Sequence, residues 1–152
     1  MPSLPDPINA HTMSRNLVCG GKSCIQLSDG QWKTSHELKY SRSHHVSWEV
    51  EGGVILMGGH GDAIKKTEFV QYDGGVEESF PLKNNVWTSC AINEGSSVVV
   101  TGGFYANRIV ARYNRTGFVE YLPSLSGKGR NYHACGLYVN SNNQKVSDPL
   151  QL

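Results

Sequence analysis

Six histidines and four cysteines are the residues of this 152-residue chain that could bind a metal ion. Their spacing argues against a metal site. His44 and His45 are adjacent, so on a strand their side chains point to opposite faces. His60 and Asp62 could supply two ligands from one loop, but no third ligand lies close to them in the sequence. We therefore predict that the protein has neither a metal site nor a cofactor.

The sequence also lacks the motifs of nucleophilic catalysis and of phosphate binding. It contains no Gly-x-Ser-x-Gly elbow. The segment Gly58-Gly59-His60-Gly61 is not followed by the Lys-Ser/Thr pair of a phosphate-binding loop. We expect a protein without catalytic activity.

The cysteines and one sequon bear on the compartment. Cys19 and Cys24 flank Gly20-Gly21-Lys22-Ser23, which predicts a tight turn and allows a disulfide across a hairpin. The alternative is that all four cysteines are buried free thiols. Asn114-Arg115-Thr116 is a glycosylation sequon on a predicted turn. A disulfide and a glycosylation sequon would together favour an extracellular protein.

Charge and hydropathy exclude two classes of partner. The chain has 14 Lys and Arg against 13 Asp and Glu, a formal net charge of +1. Because nucleic acids and anionic membrane surfaces select clustered Lys and Arg, we predict neither as a partner. The longest apolar runs, Val54 to Met57 and Val98 to Val100, are far shorter than the roughly 20 residues of a membrane span.

An apolar run closed by a glycine pair occurs three times, with pairs at Gly20-Gly21, Gly58-Gly59 and Gly102-Gly103. The second and third pairs are 44 residues apart, and the same spacing twice over relates Arg42 to Arg130. This period predicts repeats over about 1–41, 42–85 and 86–129, with the start of a fourth at about 130–152.

Each repeat is predicted to form four short antiparallel strands, which in the second repeat cover 42–49, 54–57, 67–72 and 76–82. The apolar runs are continuous rather than alternating, which is typical of strands buried on both faces. Cys90 and Cys135 fall in equivalent strands of successive repeats but one register apart, so we expect their side chains to face different ways.

These residues resemble the kelch repeat family, in which a strand ends in Gly-Gly, a Tyr and a Trp follow, and an apolar-Pro pair precedes the Arg or His of the next unit. The matching positions are the glycine pairs, Tyr72, Tyr113, Phe80-Pro81, Leu122-Pro123, Arg42 and Arg130. The tryptophan position holds Trp32, Val76 and Phe118 in the three repeats, so the chain resembles a divergent member.

The resemblance implies an all-β protein, a kelch-type β-propeller arc of about three four-stranded antiparallel blades plus the start of a fourth. Propellers close with four to eight blades. The resemblance therefore implies a fragment of a ring, whose missing blades come from a longer chain or from self-association.

Function in such a fold lies in the loops. The candidate binding residues are Asp62, Lys65 and Lys66 in the loop 61–66 and Tyr105, Asn107 and Arg108 in the equivalent loop 104–108. We expect them to line one mouth of the ring and to contact a protein, or a glycan. Two alternatives stay open: a fragment of a propeller enzyme such as an extracellular copper oxidase, and the substrate-recognition propeller of a ubiquitin-ligase adaptor.

Overall fold

The computed structural model describes residues 11–106, 108–132 and 134–135. Asn107 and His133 lie outside the described residues. The strands are β1 (Thr12–Ser14), β2 (Leu17–Ser28), β3 (Gln31–Arg42), β4 (Val46–Val50), β5 (Gly53–Met57), β6 (Thr67–Gln71), β7 (Val76–Glu78), β8 (Cys90–Asn93), β9 (Ser97–Thr101), β10 (Val110–Asn114) and β11 (Gly117–Leu122), with a 3₁₀ turn at Gly61–Ala63.

The strands form three antiparallel sheets that follow one another along the chain. The first contains β1, β2 and β3, the second β4 to β7, and the third β8 to β11, each with neighbours in sequence order. The prediction of an all-β chain built from antiparallel sheets is confirmed. Within the described residues no helix is long and apolar enough to cross a membrane.

β2 folds back on itself. Five residues of a straight strand would place the Cα atoms of Cys19 and Cys24 about 16 Å apart, but they are 4.1 Å apart. The N–H group of Leu27 donates to the carbonyl of Asn16 at 2.9 Å. The chain therefore reverses between the two cysteines, where Gly21 has a φ of 59°. One half of β2 pairs with β1 and the other with β3, so four chain segments lie side by side in the first sheet.

The first strand of the second repeat differs from its predicted bounds. Arg42 is the last residue of β3, and β4 begins only at Val46. Between them His44 has a φ of 54°, a left-handed conformation that cannot continue a strand. The predicted strand from residue 42 was wrong because the chain turns at His44.

β5 lies in the middle of the molecule, and all five of its residues are buried. Val54 and Leu56 belong to the apolar cluster shared with the first sheet. Ile55 and Met57 belong to the cluster shared with the third sheet. The interpretation of this apolar run as a strand buried on both faces is confirmed, and each of these side chains contributes roughly 1.5–3 kcal/mol by leaving water.

A buried ion pair joins the first and second sheets. Arg42 donates from Nη1 to the carbonyl of Gly58 at 2.8 Å and from Nη2 to the carboxylate of Glu68. Both side chains are fully buried. The other carboxylate oxygen of Glu68 accepts the N–H of Lys39 at 2.6 Å. Burial lowers the pKa of Arg42, although the charge of Glu68 opposes the shift.

Main-chain hydrogen bonds at the sheet junctions recur at the 44-residue spacing. The N–H of Gly59 donates to Val86 at 2.7 Å, and the N–H of Gly103 donates to Arg130 at 2.8 Å. The approach is too close for a side chain: a Cβ added to Gly58 would lie 2.0 Å from the Val86 carbonyl oxygen, and Gly58 has a φ of 70°. The second and third glycine pairs thus allow backbone-to-backbone contact between each sheet and the chain segment that follows it, whereas Gly21 of the first pair lies in the reversal of β2 with open space around it.

A second series of contacts has the same period. His44, Thr88 and Tyr132 all have left-handed φ values, between 51° and 56°. The N–H of Thr88 donates to His44 at 3.1 Å, and the N–H of Tyr132 donates to Thr88 at 3.0 Å. The same turn therefore occurs before the second sheet, before the third sheet and after the third sheet.

The four cysteines form two disulfides, Cys19–Cys24 and Cys90–Cys135. The alternative of four free thiols was therefore wrong. So was the expectation that Cys90 and Cys135 face different ways, since their Cα atoms are 5.9 Å apart. The hydrogen bond between Tyr132 and Thr88 explains the error, because it brings the segment after Arg130 beside β8.

Candidate functional site

Antiparallel pairing sends successive connections to opposite ends of the sheets. The glycine end comprises the reversal of β2 and the connections 43–45, 58–66, 79–89, 102–109 and 123–132. The opposite end comprises the connections 15–16, 29–30, 51–52, 72–75, 94–96 and 115–116. All the described candidate binding residues, Asp62, Lys65, Lys66, Tyr105 and Arg108, belong to the glycine end.

Four aromatic rings meet at the glycine end and form what we call the aromatic cluster: His60, Trp87, Phe104 and Tyr105. Trp87 lies at the centre, with ring centroids 4.8 Å from His60, 4.8 Å from Phe104 and 5.8 Å from Tyr105. Phe104 is 46% exposed and Tyr105 is 65% exposed. The indole Nε1 of Trp87 is buried and has no hydrogen-bond partner among the described residues.

Main-chain contacts hold the aromatic cluster in place. The N–H of Phe104 donates to the carbonyl of Trp87 at 2.9 Å, and the N–H of His60 donates to Ser43 at 2.9 Å. These two bonds are related by 44 residues at both donor and acceptor. The cluster is therefore fixed by the same backbone frame that joins the sheets, and its rings are presented on anchored loops.

A groove of about 430 Å³ lies beside the aromatic cluster, between the tip of the first sheet and the loop of the second. Its lining is polar and includes Lys22, Lys39, Tyr40, Ser41, His60, Gly61 and Asp62. His60 belongs to both the groove and the cluster, so the two form one continuous surface.

A charged network borders this groove. The Nζ of Lys39 is 2.8 Å from the Glu78 carboxylate, which also accepts the hydroxyl of Tyr40. The Nζ atoms of Lys39 and Lys66 lie 5.8 and 5.6 Å from the Tyr40 ring centroid. The hydrogen bonds from Lys39 and Tyr40 lower the pKa of Glu78, and the bond to Glu78 raises the pKa of Tyr40. These contacts fix the position of Tyr40, which lines the groove.

The candidate residues fall into different surroundings. Asp62 lines the groove, Tyr105 belongs to the aromatic cluster, and Lys66 lies over Tyr40. Lys65 has an exposed side chain. Arg108 donates from Nε to the carbonyl of Leu125 at 3.2 Å. Asn107 lies outside the described residues.

His60, Trp87 and Phe104 were not among the binding residues named from the sequence. Two of them carry a signal that could have identified them, because His60 and Phe104 are the residues that directly follow glycine pairs. Trp87 does not follow a glycine pair. It is identified only by its position 44 residues after Ser43, because the carbonyls of Ser43 and Trp87 both accept a main-chain hydrogen bond from a residue that follows a glycine pair.

The sequon lies at the opposite end, in the turn between β10 and β11. The Oδ1 atom of Asn114 accepts from the N–H of Thr116 at 2.9 Å and from its hydroxyl at 2.7 Å. A glycan on Asn114 would leave the glycine end uncovered. No group of three or more His, Cys, Asp or Glu side chains suited to a metal ion occurs in the described part of the chain.

Comparisons with known proteins bear on the fold. No protein-family model matches the chain, and no curated protein matches it. Among solved structures, the chain is similar to the structure of YjhT, with a TM-score of 0.59 and 14% sequence identity over 77% of this chain. The match covers 42% of the YjhT chain, so this chain spans less than half the length of that structure. At this identity the similarity concerns the fold alone.

Proposed function

We propose that the chain is an arc of a kelch-type β-propeller and that it works as a non-catalytic binding module for a protein partner. Three consecutive antiparallel sheets with two apolar clusters between them, joined by backbone contacts of constant spacing, support the propeller. So does the similarity in fold to a chain more than twice as long as the matched part. Further blades from a longer chain, or from self-association, complete the ring in this proposal.

The observation that carries the binding function is the aromatic cluster. Large aromatic side chains at the surface expose apolar area to water, which is unfavourable. When a partner covers such side chains, they dominate the energetics of the protein interface. Phe104 and Tyr105 are exposed and lie on one loop, whose backbone donates from Gly103 to Arg130 and from Phe104 to Trp87. A rigid aromatic surface of this kind loses little conformational entropy on binding.

Selection of peptides from a random display library against the purified chain tests this function. We expect selected peptides to lose about tenfold or more in affinity when Phe104→Ala or Tyr105→Ala removes a ring from the cluster. Phe118→Ala is the matched control, because Phe118 is 37% exposed and lies in β11, outside the cluster. Peptides that bind all three variants and the parent chain equally would show that the cluster is not the binding site.

The enzyme alternative predicts a different result. A copper oxidase or another metal-dependent propeller would carry stoichiometric copper or iron. Elemental analysis of the purified full-length protein separates the two proposals, since a binding module is expected to contain no stoichiometric metal.

A further inference from the structure

The near-neutral net charge of the chain conceals a separation of charge between its two ends. The connections of the glycine end carry one acidic residue, Asp62, and seven basic ones: Lys22, Lys65, Lys66, Lys83, Arg108, Lys128 and Arg130. The connections of the opposite end carry two basic residues, Arg15 and Arg115, and four acidic ones: Asp29, Glu51, Asp73 and Glu94.

The positive charge at the glycine end is exposed, and of its described basic side chains only Lys66 lies near enough to a carboxylate, that of Glu78, to influence its pKa. All seven basic side chains are exposed. Among the described residues none of the seven has a carboxylate within 4 Å, whereas Arg15, Lys39, Arg42 and Arg112 all do. Arg108 and Arg130 instead donate to main-chain carbonyls, which leaves their charge unneutralised. Unpaired like charges on one surface repel one another and attract a ligand of opposite sign.

We propose that the glycine end binds an acidic polypeptide segment whose apolar side chains cover the aromatic cluster. The assignment rests on the proposed function and names its partner by charge. The basic residues come from all three units and lie on the same end as the cluster, so an acidic chain laid across this end meets cations on both sides of the rings. Complementary charge then speeds association and fixes the register, while the rings supply the apolar contact area.

Two observations favour a polypeptide over a nucleic acid, which also binds basic surfaces that carry aromatic rings. The two disulfides are typical of oxidising compartments, from which most nucleic acids are absent. The rings also pack against one another, with Phe104 edge-on to Tyr105 at an interplanar angle of 84° and both tilted on Trp87. Rings in mutual contact offer one compact apolar surface rather than a row of separate stacking platforms.

The test uses labelled synthetic peptides of about twelve residues, long enough to cross two units. The acidic probe consists of Asp and Glu around a central Leu-Phe pair. A second probe has Lys at every acidic position, and a third has Ser there. We expect the full chain to bind the acidic probe best, and the affinity to fall by about tenfold or more between roughly 50 and 300 mM NaCl.

Charge-reversal variants locate the binding surface. The first variant, which we call the mouth variant, combines Lys65→Glu with Arg108→Glu, two substitutions in the connections of the glycine end. The control variant combines Lys33→Glu with Arg115→Glu, which changes the net charge equally but away from the glycine end. We expect the mouth variant to lose about tenfold or more in affinity for the acidic probe and the control to lose no more than about twofold. Circular dichroism verifies that both variants are folded.

The remaining outcomes overturn the assignment. Equal losses in the two variants would mean that net charge rather than the glycine end attracts the probe. Tighter binding of an oligodeoxythymidine of similar length would point to a nucleic acid. Equal binding of the Ser and acidic probes, with loss on Phe104→Ala, would refute the acidic partner and leave the binding module intact. No binding of any probe, together with a failed library selection, would refute both.

Discussion

His45 gives this fold a pH dependence that can be measured. Its imidazole is buried, and its Nε2 lies 2.8 Å from the Thr12 hydroxyl. Burial, followed by the positive charge of Arg42, lowers the pKa of His45 to about 3. In the unfolded chain the same group titrates at about 6.5. Between these values the unfolded chain binds a proton that the folded chain does not, so the free energy of unfolding falls as the pH drops below about 6.5.

The size of the effect follows from the width of this window. Each pH unit below 6.5 costs about 1.4 kcal/mol, so the free energy of unfolding at pH 5 should be about 2 kcal/mol lower than at pH 7 because of this residue alone. Restricting the comparison to pH values above 5 keeps most carboxylates ionised in both states. Urea unfolding of the full chain, followed by circular dichroism at half-unit pH steps, measures the curve.

Two variants isolate the contribution of His45. His45→Gln removes the titrating group and keeps a side chain that can bond to Thr12, so its stability should vary about 2 kcal/mol less between pH 7 and pH 5. His44→Gln changes the exposed neighbour and should keep the parent curve. If His45→Gln and the parent chain lose the same stability on acidification, the histidine is protonated in the folded state and the reasoning is wrong.

Two further predictions concern stability, both measured by urea unfolding. Gly58→Ala should cost about 3 kcal/mol or more, because it adds to a positive φ a contact of 2.0 Å with the Val86 carbonyl oxygen, whereas Gly61→Ala, with a φ of 77° and open space around it, should cost only about 1 kcal/mol. If both substitutions lower the free energy of unfolding equally, the backbone at Val86 moves aside and the close contact at Gly58 is not required. Glu68→Gln should cost about 3 kcal/mol by leaving the Arg42 guanidinium buried without a counter-charge, and a loss below about 1 kcal/mol would contradict the description of both side chains as fully buried.

The sheets were predictable because their signals are local. The run from Val54 to Met57 is apolar at every position, and only a strand covered on both faces buries all four side chains. The disulfide partners were not predictable in the same way. Cys90 and Cys135 are joined because a main-chain bond at Tyr132 carries the chain back to β8, and such a contact depends on folding rather than on neighbouring residues.

The loops that carry the candidate site could be predicted from the sequence, but the side chains that form its surface could not. Counting from the glycine pairs identified the connections 61–66 and 104–108. The exposed rings need more, because Trp87 comes from a different connection and reaches Phe104 only through the backbone frame. The charge separation is also hidden in the sequence, where basic and acidic loops alternate, since neighbouring connections lie at opposite ends of antiparallel strands.

The junctions between units depend on main-chain atoms, and this leaves the side chains of the loops free to change. Gly59 and Gly103 donate to carbonyl oxygens, which every residue possesses. If the proposed binding function holds, mutations at His60, Phe104 or Tyr105 would therefore alter what the surface recognises without removing the main-chain bonds of Gly59 and Gly103. Such a binding module would be suited to the evolution of new specificities, and its loops should accept grafted recognition sequences with little loss of stability.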